Sequence, residues 1–218
     1  MNKGTIVFTA LYALLSIVHL IFCFFELEKA RKISKPFLLP LLGIAMCFYI
    51  PSHPMIPIAC FLAFVGDIIL IWNKKKLMFA LGAMFFFASH VLNFFSLKKL
   101  FSFKIPAYVY IIIPIVMVLA GVILFFIKKK DWIAFLVGVF GSAHSVNLIL
   151  SIILIIDGTV VPGILVSLGY VLCISSDLIL ERATFKKDFR RRDFPIMLTY
   201  LLGQALTYFG IAMANLSL

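Results

Sequence analysis

The chain is 218 residues long, 64% hydrophobic and 13% charged, with 24 phenylalanines and a formal net charge of +11. No soluble domain hides that share of apolar side chains, so water-soluble enzymes and binding modules are excluded and a polytopic membrane protein is implied.

Eight apolar runs fit the ~20 residues that a helix needs to cross a ~30 Å hydrocarbon core. They lie near residues 5–25, 34–50, 54–73, 77–97, 105–127, 131–156, 159–180 and 194–216. The expected fold is therefore all-α, one transmembrane domain of eight helices with no soluble domain left over. The first run is too long for a signal-peptide core and lacks a convincing cleavage site, so it counts as a helix. The second is the shortest, and the "PSHP" link at 51–54 leaves little loop before the third, which predicts a tight helical hairpin. Pro36, Pro106 and Pro195 fall near predicted helix starts, where a missing N–H does no harm.

The links after helices 1, 3, 5 and 7 carry Lys29, Arg31, Lys32 and Lys35; Lys74 to Lys76; Lys128 to Lys130; and Arg182, Lys186, Lys187 and Arg190 to Arg192. Only Lys3, Lys98, Lys99 and Lys104 fall on the other side, a bias of 16 to 4 among the 20 basic residues. The positive-inside rule then puts these links in the cytoplasm and both termini outside. The basic balance reads as orientation and contact with membrane lipids, with no nucleic-acid partner. The host membrane, a bacterial plasma membrane or the endoplasmic reticulum, and the oligomeric state are left open.

Cys23, Cys47, Cys60 and Cys173 all fall inside predicted helices without CxxC spacing, which suggests neither a disulfide framework nor a thiolate metal site. The polar residues at membrane depth are His19, Asp67, His90, Asn93, His144, Asn147, Asp177 and Gln204, with Glu181 at a helix end. An ionisable group near a helix centre costs ~2.5–3.5 kcal/mol on insertion scales, so the two aspartates call for a partner or a task. Asp67 lies six residues before the cytoplasmic end of helix 3, roughly 9 Å. Asp177 lies three or four before that of helix 7, so the two share a depth. Their contexts match, Gly66-Asp67-Ile68-Ile69-Leu70 against Ser176-Asp177-Leu178-Ile179-Leu180, a faint sign of internal duplication.

Neighbouring helices offer stripes of small and polar residues. Helix 4 aligns Gly82, Phe86, Ser89, His90 and Asn93; helix 8 aligns Tyr200, Gly203, Gln204, Thr207 and Gly210. Such stripes serve as packing seams or present Asn93, Tyr200 and Gln204, with Ser176, to a substrate. With helix 2 beginning at Pro36, Lys35 stands beside free backbone N–H groups, where a lipid phosphate docks readily; an ordinary snorkelling lysine is the alternative.

The segments "SKPFLLPLL" (34–42), "FVGDIILIW" (64–72), "FALGAMFFFASH" (79–90), "GYVLCISSDLILERATF" (169–185) and "TYLLGQAL" (199–206) resemble, in order, the signatures of the YhhN family of lysoplasmalogenases. Asn93 stands where that family usually has a tyrosine. The resemblance implies an integral membrane hydrolase that cleaves the vinyl ether bond of a lysophospholipid, the lysoplasmalogen. The products are a fatty aldehyde and a glycerophospho-ethanolamine or glycerophospho-choline, and the two membrane aspartates are implied as catalytic.

The residues reach the same chemistry from their own side. A vinyl ether hydrolyses by protonation of its β-carbon, capture of the oxocarbenium ion by water, and collapse of the hemiacetal. That route needs an acid and a nearby anion, which one protonated and one ionised aspartate supply; the sequence leaves open which is which. His90 is a candidate to orient a carboxyl or the water. His19, His90 and His144 with an aspartate would supply zinc ligands, but no two of these histidines share a helix and HExxH spacing is absent, so no metal or cofactor is expected. The rival reading is a proton-coupled transporter, whose helices break near the membrane centre. An intramembrane aspartyl protease lacks its Gly-x-Gly-Asp pattern, since Phe64, Val65 and Gly66 precede Asp67.

Overall fold

The computed structural model describes residues 2–71, 76–185 and 189–216. The predicted end of the third span at 72–73, the basic residues Lys74, Lys75, Lys186 and Lys187, and the side chain of Lys76 lie outside them. The described residues form eight α-helices and no strand. They are α1 Lys3–Phe24, α2 Glu28–Tyr49, α3 Met55–Leu70, α4 Lys76–Lys98, α5 Val109–Ile127, α6 Trp132–Ile156, α7 Val160–Phe185 and α8 Asp193–Leu216. Seven are long and apolar enough to cross a membrane; α3, with 16 residues, is shorter.

The second helix corrects the sequence reading. It starts at Glu28 rather than near 34, so Pro36 and Pro40 lie inside it and Lys35 stands two turns from the free N–H groups. The charged stretch looked like a link, but Glu28 and Lys32 pair across one turn at 2.5 Å and Arg31 pairs with Asp193 of α8. Those contacts satisfy the extra turns, and a proline inside a membrane helix is tolerated when neighbours cover the freed carbonyl. Pro106 precedes α5, which begins at Val109 rather than 105, while Pro195 does fall in the first turn of α8. The last helical stretch of α7 runs through Glu181 and Arg182 to Phe185, well past the predicted end at 180.

Packing follows a ring: α1 against α2, α2 against α3, α3 against α4, α4 against α6, then α6, α7 and α8 in turn, with α8 closing back on α1 and α2. α5 stands outside the ring, held on α6 where Gly121 faces Gly138 so closely that a Cβ on Gly138 would lie 2.7 Å from the Gly121 Cα. α7 and α8 are sealed the same way: a Cβ at Gly169 would lie 2.3 Å from Thr207 Oγ1. Glycine therefore lets these backbones approach, as in other membrane helix pairs. Side chains tie the rest of the ring: Tyr12 donates to the Leu201 carbonyl at 2.8 Å, His19 bonds Ser34 at 2.7 Å, and the Asn147 amide donates to the His90 carbonyl at 3.0 Å.

At the end of the bundle opposite the α3–α4 link, Ser102 donates its amide (2.9 Å) and hydroxyl (2.6 Å) to Asp157. Those two bonds hold the Asp157 carboxyl below the usual carboxylate range, which clasps the α4–α5 link to the α6–α7 turn at neutral pH.

Candidate active site

Inside the ring, near the α3–α4 link, lies a cavity of about 80 Å³ walled by α2, α3, α4, α6, α7 and α8. α6 contributes Val137 and Phe140 to its wall. Most of its wall is aliphatic or aromatic, and its polar side chains are Lys35, Asp67, Ser176, Asp177, Glu181 and Tyr200. The matching contexts of the two aspartates translate into matching positions, since Asp67 with Leu70 and Asp177 with Leu180 line the same space. Gly66 permits this on one side: a Cβ there would lie 2.8 Å from the Phe86 ring and 3.1 Å from the Gly82 carbonyl, so α3 and α4 close up only because both residues are glycine.

The two carboxyls have opposite surroundings. Asp67 is buried and accepts from two donors, Lys35 Nζ at 3.1 Å on Oδ1 and the Tyr200 hydroxyl at 2.8 Å on Oδ2. A carboxyl that takes an ammonium and a phenol O–H is acting purely as acceptor, the role of the ionised form. Asp177 is 37% exposed to the cavity and meets His144 Nε2 at 3.5 Å. His144 in turn sets its Nδ1 against the Phe140 carbonyl at 3.4 Å. A carbonyl only accepts, so in the neutral tautomer that donates Nδ1–H to it, Nε2 faces Asp177 as a lone pair. In that tautomer Asp177 is the partner that brings the proton to the contact.

The remaining sequence candidates separate. Ser176 donates to the Ile196 carbonyl at 3.0 Å, so its hydroxyl is engaged in the α7–α8 seam although the residue lines the cavity. Asn93 and Gln204 are buried and do not line the cavity; Asn93 sits beside the hydroxyls of Tyr170 and Tyr208. His90 also stands back from it: its ring lies 3.8 Å from that of His144 and it lines a second cavity. Lys35 does line the cavity, but through its pair with Asp67 and not from a helix N-terminus. The partner of Asp177 is His144, which sequence reasoning counted among the polar residues at membrane depth but did not join to that aspartate. Among the described residues no three His, Cys, Asp or Glu side chains gather as metal ligands, and His19 is bonded to Ser34 away from both aspartates.

Beside the cavity, sharing Lys35, Leu70, Leu180, Ile196 and Met197 with it, a polar mouth of about 100 Å³ is lined by Arg31, Lys32, Arg192 and Asp193. Together they make a largely apolar chamber with the carboxyls of Asp67, Asp177 and Glu181, open to a basic rim. Neither curated proteins nor solved structures give a match to the chain. Comparison with protein families does give one, extending from the basic turns of α2 to the last turns of α8 and so enclosing every wall of the cavity: over residues 30–211 the chain belongs to the YhhN family.

Proposed function

We propose that the chain is a lysoplasmalogenase-like hydrolase, cleaving the vinyl ether of a lysophospholipid in the cavity between Asp67 and Asp177. The observation that carries this reading is the contrast between those aspartates: one held by a cation and a phenol, the other set against a histidine lone pair, both on one apolar chamber. An acid and an anion on a shared apolar space are what vinyl ether hydrolysis requires.

In this mechanism Asp177 gives its proton to the β-carbon, leaving an oxocarbenium ion that the Asp67 carboxylate stabilises. Water adds to the cationic carbon and passes a proton to Asp67. The hemiacetal hydroxyl then returns a proton to Asp177 and becomes the aldehyde C=O as the bond from the hemiacetal carbon to the glycerol oxygen breaks, and Asp67 protonates that departing oxygen. The cycle closes with Asp177 protonated, Asp67 ionised and one water consumed. His144 is a positioning residue, holding the Asp177 carboxyl by its proton. Arg31, Lys32 and Arg192 give the polar mouth the charge suited to a phosphate-bearing headgroup, at the place first assigned to Lys35.

The wider arrangement belongs to the same proposal: eight spans, α3 included, with both termini on the non-cytoplasmic side and the basic mouth on the cytoplasmic one. Tags at either terminus are expected to react with membrane-impermeant reagents from outside the cell or from the organelle lumen, whichever the host membrane borders, and protection of both on that side would reverse the orientation. The helices that carry the aspartates are unbroken among the described residues, since Pro57 and Pro162 fall in the first turns of α3 and α7. That favours a hydrolase over a carrier built on broken helices. The deciding assay incubates purified protein with a lysoplasmenyl lipid and its lysoacyl counterpart. Free aldehyde from the first alone is the expected result, and lipid binding without aldehyde would return the carrier reading.

A further inference from the structure

The cavity between the aspartates is too small for a whole lipid. At about 80 Å³ it has room for about three waters at the density of the liquid, enough for the vinyl ether and the atoms beside it but not for a fatty chain. A chain attached there must leave through a wall. The mouth is one way out, but at about 100 Å³, with Arg31, Lys32 and Arg192 around it, it suits a headgroup and not a hydrocarbon.

Another wall offers a second way. A groove of about 850 Å³ runs between α5, α6 and α7, because α5 and α7 both pack on α6 and make little contact with each other. Its floor on α6 is built of small residues, Gly138, Gly141, Ser142 and Ser145. A Cβ built on Gly141 would meet nothing within 4 Å among the described residues, so the space above α6 is open there. Both serine hydroxyls turn back to carbonyls of their own helix, Ser142 to Val139 at 2.7 Å and Ser145 to Gly141 at 3.0 Å, so neither donates into the groove. Ile123 of α5 and Leu178 of α7, on its two sides, are 57% and 60% exposed, which turns the groove toward lipid.

Groove and cavity adjoin, since Val137 and Glu181 line both. Asp177 stands on α7 between Ile174, three residues before it, and Glu181, four after, both of which line the groove. Asp67 lies toward the other opening, through its pair with Lys35, which cavity and mouth share. The order of these openings matches the order of atoms in the lipid. From the headgroup the chain of bonds runs through the glycerol oxygen and the carbon that becomes cationic to the β-carbon and the hydrocarbon. Asp67, which serves the glycerol oxygen, is on the headgroup side; Asp177, which serves the β-carbon, is on the side of the groove.

We infer that the hydrocarbon chain of the substrate passes between α6 and α7, beside Val137, into the groove floored by Gly141, and that the fatty aldehyde leaves into the bilayer by the same gap. This seat for the chain rests on the hydrolase reading and sets the direction in which the lipid lies. The test uses the full chain in phosphatidylcholine nanodiscs. Gly141→Phe fills the groove from a position with free space. It should lower kcat/KM for a hexadecenyl lysolipid at least about tenfold more than for its butenyl analogue, whose chain ends at the junction; tenfold is the lower range for a misfit of one methylene in an apolar pocket. An unchanged ratio between the two lipids overturns the route.

A second measurement does not depend on turnover. A saturated alkyl ether lysolipid with a diazirine midway along its chain should label the α5, α6 and α7 segments around Ile123, Ser142 and Leu178. The unlabelled alkyl ether lysolipid should compete and hexadecane should not. Label spread over all lipid-facing helices, or equal competition by hexadecane, would mean that bulk lipid chains fill the groove and would also overturn the route. Labelling decides the matter if Gly141→Phe does not fold. It also separates the two readings: a wild type labelled in the groove that releases no aldehyde loses the hydrolase and keeps the seat of the chain.

Discussion

Asp67→Asn and Asp177→Asn should each lower kcat for aldehyde release by at least about 10²-fold, the lower range for loss of a general acid or base. Asparagine keeps the size of the side chain and most of its hydrogen bonding, so the folded structure should survive both changes. At position 177 the proton donor for carbon is lost. The amide N–H₂ can still donate to His144 Nε2, so the contact persists while the chemistry stops. At position 67 the anion beside the oxocarbenium ion is lost, and with it the acceptor for the proton of water. The double variant should be little slower than either single one, because the two groups act as a unit and their losses do not add. Near-normal turnover by either folded single variant would remove the aspartate pair from the mechanism.

Lys35→Ala should lower kcat by more than about tenfold and destabilise the protein, rather than merely raise KM. A lysine that only held a headgroup would contribute equally to ground and transition states and would act through KM. Here the ammonium is 3.1 Å from Asp67 Oδ1, with Lys35 20% and Asp67 5% exposed. Removing one member of a buried pair leaves the other charge uncompensated, at a cost of about 3–5 kcal/mol. Asp67 would then keep only the Tyr200 hydroxyl, and its carboxylate would no longer be held ready beside the reacting carbon. Separate kcat and KM values for folded Lys35→Ala, with thermal unfolding, make the check. A raised KM at unchanged kcat would return Lys35 to the headgroup.

Asp67 and Asp177 were legible in the sequence because a carboxyl among aliphatic residues has a cost that periodicity cannot hide, and their helices could be counted from apolar length alone. The start of α2 was not. A run of five charged residues among eight, Glu28 to Lys35, has the composition of a link, and only the cross-helix pair between Arg31 and Asp193 shows why it is helical. Tyr200 stood out within its stripe, yet nothing in the sequence distinguished it, in reach of Asp67, from Gln204 one turn on and buried away from the cavity. The histidine at Asp177 was equally hidden: His90 belonged to a resembling motif, whereas His144 becomes visible only when α4 and α6 bring both rings within 3.8 Å. Such assignments depend on helix rotation within the ring, which the apolar pattern fixes poorly when lipid and core are equally apolar.

The brevity of α3 has a consequence for the membrane itself. Sixteen residues rise about 24 Å, roughly 6 Å less than an average hydrocarbon core, whereas the flanking α2 and α4 have 22 and 23 residues. In the proposed eight-span arrangement the bilayer must thin along this one wall, at a cost of fractions of a kcal/mol per Å of mismatch. The dimple forms on the helix that carries Asp67, drawing headgroups and water toward the depth of the carboxyl. In that arrangement the protein is expected to partition into thinner bilayers. Within a uniform one it presents an uneven, sided boundary at which a single-chain lipid, itself preferring curved packing, would collect beside the chamber.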